Sequence, residues 1–394
     1  MPRQSPHVVQ ISFFSDPQGR TPAQLLQAWP TLVDVAEAGW RAGVRISIVQ
    51  AAVHSERLER GGVPYHFLPF AAAAAGEPGR LAGLLRSLAP DLIHVHGLGF
   101  PRDVLGLATL APGVPIILQD HADRPPPIWR RPLWRRALAL AAGISFCARE
   151  QAQPFVNAGL VRADTPLYEI PESTSRFTPG NQQEARRASR VSGAPLALWV
   201  GHLDDNKDPL TVLAGVSAAA HALPGLQLWC CFGTAPLLRE VRSRIKTDRM
   251  LRDRVHLLGC VPHERVEQLM RAADVFVLGS HRESTGYALI EALACGVSPV
   301  VTDIPSFRSL TGAGTVGRLW PCDEPHALCE ALKSVMARTD STTRATVRAH
   351  FERELSFDSL GAKLATMYQE VLERARRHCG VAGPLPNDTV LGAP

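Results

Sequence analysis

Short runs of β-branched and aromatic residues alternate along this chain with longer Ala- and Leu-rich stretches whose apolar positions recur every three to four residues. The first kind reads as strands and the second as amphipathic helices. Strands are expected over residues 8–14, 44–49, 92–95, 116–118 and 144–146. After a break, others are expected over 196–200, 227–232, 255–257, 275–278 and 300–302. Helices are expected over 30–41, 210–222 and 265–273, with a last long one over 357–377. Strands alternating with helices of crossover length imply right-handed βαβ units, parallel sheets and helices on both faces. The break falls at 171–192, a polar stretch that reads as a linker. The fold class is therefore α/β, with two Rossmann-like domains over 1–178 and 190–354. Ligands of such sheets sit at the carboxyl ends of the strands, so two facing sheets enclose an interdomain cleft. Residues 71–75 and the Gly/Pro-containing sequel read as a surface loop, and 378–394 as a loose tail.

Composition narrows the function. At 394 residues the chain has room for two ordinary domains, and 45% hydrophobic with 20% charged residues is a globular balance. The net charge of +5 is dispersed and forms no nucleic-acid stripe. No apolar run reaches the ~20 residues needed to span a bilayer. The first residues carry no signal-peptide core, so a cytoplasmic protein is expected. Eight cysteines are scattered without a Cys-x-x-Cys spacing, which argues against a zinc site or a disulfide frame.

The richest chemistry lies between His281 and Gly296, where Glu283 stands in a polar loop and Glu291 in an apolar helical run eight positions later. A straight helix would hold the two about 12 Å apart, at ~1.5 Å per residue. If the loop folds back over the helix start, Ser284, Thr285, Gly286 and Tyr287 bring backbone amides to an anion there, because a helix N-terminus has unpaired N–H groups and a positive dipole end. The pattern suits a phosphate-linked sugar, with carboxylates accepting from its hydroxyls.

This stretch, continued by Val297–Asp303, resembles the Glu-x7-Glu signature of retaining nucleotide-sugar glycosyltransferases of the GT-B fold, family 4. Further segments resemble the family in the expected order. Asp91–Gly97 and Gln119–His121 resemble its first-domain motifs, Val200–Pro209 its donor-phosphate segment, and Arg254–Pro262 its base-binding strand and turn. The resemblance implies a nucleoside diphosphate sugar as co-substrate and no separate cofactor or metal. It implies an acceptor hydroxyl on a glycan, a lipid-linked sugar or a small molecule, as in cell-envelope polysaccharide or glycolipid synthesis. It assigns donor binding to His202, Lys207, Val261, Ser284, Thr285, Gly286, Tyr287 and Glu291. It places His121, Glu283 and Lys207 at the reacting centre, and it carries the last helix back onto the first domain.

Two positions depart from the family. His202 stands where an Arg is usual, and a histidine is cationic only when protonated, so donor affinity is expected to fall as pH rises from about 6 to about 8. The first loop, Phe14–Arg20, has one Gly where a Gly-Gly turn is usual, and Pro171–Thr174 replaces an Asn-Gly-Val-Asp segment. His94 and His96 read as a structural pair under the cleft wall. The 129–136 segment interleaves Trp with Arg; a helix start with solvated arginines and one buried Trp is the simpler reading, and peripheral contact with an anionic membrane is the alternative. A nucleotide-sugar 2-epimerase and a non-catalytic sugar-nucleotide-binding protein are the competing functions, separable by testing for donor conversion without acceptor and for binding without turnover.

Overall fold

The computed structural model describes residues 5–69, 78–338 and 341–380. The first sheet has eight strands: β1 (His7–Ser12), β2 (Arg45–Ala51), β3 (Glu56–Arg60), β4 (Val63–Leu68), β5 (Leu92–His96), β6 (Ile116–Gln119), β7 (Ala141–Phe146) and β8 (Leu167–Glu169). Their order is β3-β4-β2-β1-β5-β6-β7-β8. All pairings are parallel except β3 with β4. The second sheet, wholly parallel, contains β9 (Leu196–Val200), β10 (Gln227–Cys231), β11 (Val255–Gly259), β12 (Val275–Leu278), β13 (Ser298–Thr302) and β14 (Arg318–Trp320). Its order is β11-β10-β9-β12-β13-β14.

Alternating side chains give the first sheet two apolar faces. Val8, Ile46, Ile48 and Leu92 fill one core, while Val9, Val49, Ile93 and Val95 fill the other. The last helix, Phe357–Gly380, closes the first of these cores with Leu360, Leu364, Met367, Tyr368 and Val371, lying along helix Pro30–Arg41. Gly361 permits the approach, since a Cβ there would lie 2.2 Å from the Ala38 carbonyl oxygen. This helix runs through 378–380, three residues expected in the tail; the rest of that tail, and the loop expected over 71–75, lie outside the described residues.

The stretch read as a linker is more structured than its polarity suggests. Asn181 caps a helix, Gln182–Ser189, by accepting from the Gln183 and Glu184 amides at 3.0 and 3.1 Å, and the helix packs on His263–Ala272. Glu172, Ser173, Thr174 and Ser175 are buried. They are polar because they cross the seam between the two sheets, where hydrogen bonds rather than solvent satisfy them.

In each sheet the strand order reverses once about the first strand, between β1 and β5 and between β9 and β12. The loops leaving these strands diverge there and open a crevice. The first crevice carries Ser12–Phe14 and His96–Gly97. The second carries the segments with His202 and Lys207, after β9, and with Glu283, after β12.

Candidate active site

The second crevice is built from backbone constraints. Gly286 precedes helix Tyr287–Ala294 with φ +102° and ψ 71°, a conformation open chiefly to glycine, and a Cβ on it would lie 2.6 Å from Phe307 Cε1. Asp208, on the other side, caps helix Pro209–Ala219 by accepting from the Thr211 amide at 3.1 Å, and Pro209 occupies the first helical position. The Lys207 amide donates to Asp204 Oδ1 at 2.9 Å, which makes the acidic run 204–206 a turn.

Lys207 Nζ and Glu283 Oε1 form an ion pair, both side chains mostly buried. The lysine expected beside the donor phosphates is thus held by the carboxylate expected beside the donor sugar. Glu291 instead pairs with His263, Nε2 to Oε1 2.6 Å, and the hydrogen bond to Glu291 raises the His263 pKa despite partial burial. The two glutamates line different cavities. Glu283 faces one of about 500 Å³ that spans Asp120, Arg124 and Gln151 of the first domain and Arg282 and Ser306 of the second. Glu291 faces one of about 900 Å³, with Thr31, Asp34, Arg176, His263 and Tyr287.

His202 has a fixed partner. The Thr234 amide donates to its Nδ1 at 3.2 Å, so Nδ1 accepts and the hydrogen belongs on Nε2, which leaves that N–H for a ligand. The Thr285 side chain is buried, and its Oγ1 accepts from the Glu172 amide at 3.3 Å, facing the seam. Val261 packs partly against the core of the second sheet, beside the turn that leads to His263. The first loop turns about Asp16, whose Oδ2 accepts from the Arg20 amide at 2.8 Å, and Phe14 reaches the first crevice.

The seam centres on Glu172. Its carboxylate accepts from Ser284 Oγ and pairs with His121 Nδ1 at 2.5 Å. Burial alone would lower the His121 pKa, but Glu172, with Asp123 and Asp120 behind it, raises it above the ordinary histidine value. His121 Nε2 meets His96 Nδ1 at 3.2 Å, and His96 Nε2 meets Gln10 Oε1 at 3.3 Å. Gln10 Nε2 donates to the Tyr368 hydroxyl at 3.2 Å, which lies 2.8 Å from His94 Nδ1. Burial pushes the His94 pKa down to about 3 and holds His96 well below its usual value. The bonds are then self-consistent: a protonated His121 donates to a neutral His96, which donates onward to Gln10. Asp120 is pushed up to about 7, by burial first and then by the neighbouring Asp123.

From the first domain, Gln151 Nε2 donates to the Glu283 and Ser284 carbonyls, each at 2.8 Å, fixing the loop between the two sheets. Glu172, Gln151 and His263 were not singled out in the sequence. His263 carried a signal as the residue after the Val261-Pro262 turn, and Glu172 as part of the Pro171–Thr174 segment that departs from the family. One further group forms only in the fold: Asp208, His281 and Asp323, from three separate loops, offer ligand atoms within 4.8 Å of one another. The segment with interleaved Trp and Arg places Trp134 in the core that holds Val9 and Ile93, and leaves Ile128 and Trp129 exposed, at 74% and 78%. Pro132 falls in the first turn of helix Arg131–Leu138, where its missing N–H costs nothing, and does not interrupt the helix. Among the described residues no helix is long and apolar enough to cross a membrane.

Comparison with known proteins agrees with this architecture. Residues 181–350 match the family "Glycosyl transferases group 1", and residues 30–165 match "Glycosyltransferase Family 4". The chain is 26% identical over 362 residues to 2-deoxystreptamine N-acetyl-D-glucosaminyltransferase of Streptomyces fradiae, covering 87% of this chain and 83% of that one. It is 24% identical over 274 residues to GDP-mannose:cellobiosyl-diphosphopolyprenol alpha-mannosyltransferase of Xanthomonas oryzae, covering 67% and 70%. Among solved structures, sucrose-phosphate synthase of Thermosynechococcus elongatus superposes with TM-score 0.70 at 18% identity, covering 94% of this chain and all of the other. Anabaena HepE in complex with UDP gives TM-score 0.70 at 17% identity, covering 92% and 100%.

Proposed function

The chain belongs to the GT-B glycosyltransferases of family 4, and on that premise we propose that it transfers a sugar from a nucleoside diphosphate sugar to an acceptor hydroxyl, with retention and without a metal ion. One observation carries this reading. Lys207 and His202 follow β9 and the N-terminus of helix Tyr287–Ala294 follows β12, the two strands that flank the switch point of the second sheet, and all three can donate to an anion.

As the glycosidic bond breaks, charge develops on the departing diphosphate. Lys207, the Nε2–H of His202 and the unpaired first-turn amides stabilise it in place. The diphosphate draws Lys207 away from Glu283, which frees that carboxylate to face the sugar. Glu291, held by His263, accepts from the ribose hydroxyls. Across the seam, His121, its ring held between Glu172 and His96, presents positive charge toward the sugar. Gln151 and Glu172 hold the Glu283–Ser284 loop so that these groups converge, and the closed cleft excludes water. The relatives' names support a nucleotide-sugar donor, since one specifies GDP-mannose, and a solved neighbour is bound to UDP.

The test is a thermal-shift screen with UDP, GDP and ADP sugars, followed by turnover with NMR reading of the product anomer. A stabilising nucleotide sugar and a product of the donor's anomeric configuration are expected, with activity surviving EDTA. Metal-restorable loss would shift the leaving-group chemistry to a divalent ion, for which Asp208, His281 and Asp323 are the ligands at hand. Conversion of the donor alone would mean an epimerase.

A further inference from the structure

The first crevice opens into a cavity of about 520 Å³. It faces the proposed donor site across the Glu172 seam. Phe14, Trp29 and Phe100 form its apolar wall, with the Phe14 and Trp29 rings 5.7 Å apart and tilted. Aromatic faces of this kind pack against the C–H face of a saturated ring, and the few polar atoms around them fix its orientation.

Those polar atoms share one character. Gln50 is fully buried and its Nε2 donates to the Phe14 and Ala51 carbonyls, at 2.7 and 2.9 Å. Both of its N–H groups are engaged and the amide cannot turn, so Oε1 is left without a partner. Asp123 Oδ2 accepts from the Leu98 and His121 amides, at 2.7 and 3.3 Å. Its Oδ1 lies 3.1 Å from the position of a Cβ on Gly99, so the glycine keeps that oxygen clear. Both ring nitrogens of His96 and of His121 are already bonded, and Glu172 is balanced by His121. Among the described residues no lysine or arginine lines the cavity. What remains for a ligand is a buried amide oxygen, Asp123 Oδ1 and the Ser12 hydroxyl, since Thr31 already bonds Tyr287.

We infer that the acceptor is an amine-bearing polyhydroxylated ring, an amino sugar or aminocyclitol, seated with its ammonium on Asp123 and a hydroxyl on Gln50, and not a phosphate ester. The inference rests on the proposed transferase function and specifies its second substrate. A phosphate placed here meets two acceptor oxygens, and the one cation at the wall, His121, has both ring N–H groups committed to Glu172 and His96, so the phosphate loses its hydration without replacement. An ammonium meets the Asp123 carboxylate, and charge-assisted hydrogen bonds are about twice as strong as neutral ones.

Titration calorimetry on the full chain with glucosamine, N-acetylglucosamine and glucose 6-phosphate tests this, with UDP and GDP titrated separately to read the donor site. Glucosamine should bind about tenfold more tightly than N-acetylglucosamine, the ratio that ~1.4 kcal/mol produces, with glucose 6-phosphate weaker still. Asp123→Asn keeps an oxygen for the Leu98 and His121 amides and should bring glucosamine down to the N-acetylglucosamine level. Glucose 6-phosphate binding as tightly as glucosamine would overturn the inference. So would an amine preference that survives Asp123→Asn, or no glucosamine binding up to its solubility limit. If neither nucleotide binds, the transferase reading itself has failed, whatever the sugars do.

Discussion

Glu172→Gln isolates the charge at the centre of the seam. The substitution keeps the side chain's shape and leaves one carbonyl oxygen for His121 or Ser284, so the loss is the charge and not the packing. A hydrogen bond to a charged group contributes about 1.5–3 kcal/mol against about 0.5–1.5 for a neutral one, and the difference predicts destabilisation of about 1–2 kcal/mol. The pH dependence follows from the His121 pKa, which lies above its ordinary value. A group with a raised folded pKa contributes stability that is complete below its unfolded value, near ~6.5, and is lost as pH rises through the folded one. The groups that face His121 are Glu172, Asp123, Asp120 and His96, and only the first is changed. Urea unfolding of both proteins should therefore show the widest gap in slightly acid buffer and a narrowing gap toward alkaline pH. The alkaline limb of kcat/KM should also move to lower pH in the variant, because the neutral amide no longer holds the proton on His121. A stability gap that stays constant or widens with pH, together with an unmoved limb, would refute the assignment of Glu172 as the group that keeps His121 charged.

Other positions give independent checks. Gly286→Ala adds strain at a positive φ, about 1–3 kcal/mol, and overpacking against Phe307, about 1–3 kcal/mol; unfolding free energy should fall by the sum, and nucleotide binding with it. His202→Ala should weaken nucleoside diphosphate affinity in calorimetry by the worth of one hydrogen bond, roughly 2- to 10-fold, since Thr234 occupies Nδ1 and leaves Nε2 for the ligand. Glu291→Gln should lower the His263 pKa in an NMR titration and weaken nucleotide binding in calorimetry; an unshifted His263 would show the pair to be absent in solution.

Where the chain could be read in advance, the physical signal was local. The central strands announce themselves as β-branched runs because both faces of a parallel sheet are buried. β3 was missed because Glu56–Arg60 is an edge strand, mostly exposed and mostly charged, with no apolar pattern to detect. β8 and β14 have three residues each, too few for a period to show. The polar 171–192 stretch misled for the opposite reason: it is buried polar chain, and its partners His121 and Ser284 are far away in sequence. The same limit governs the site. Glu283, Glu291 and Lys207 stand in motifs with fixed spacing and were legible, but that each is held by an internal partner was not. Glu172 carries no motif; it acquires meaning only from three segments that meet at the seam. The tautomer of His202 is likewise set by an amide 32 positions on.

The last helix has a consequence for the order in which the protein can be made. Its residues Leu360, Leu364, Met367, Tyr368, Val371 and Leu372 seal one face of the sheet that begins at His7. At roughly 1.5–3 kcal/mol per buried side chain, that closure contributes on the order of 10 kcal/mol, an upper estimate for a real unfolded chain. During synthesis the first domain leaves the ribosome with this face open. The second sheet takes its last core residues, Val347, Phe351 and Leu355, from just before that helix, so its core can close while the first still waits for residues 357–380. The domain encoded first is thus the one finished last, and a nascent chain stalled before residue 357 should display a folded second domain beside an unsealed first. Limited proteolysis of stalled chains would reveal that order.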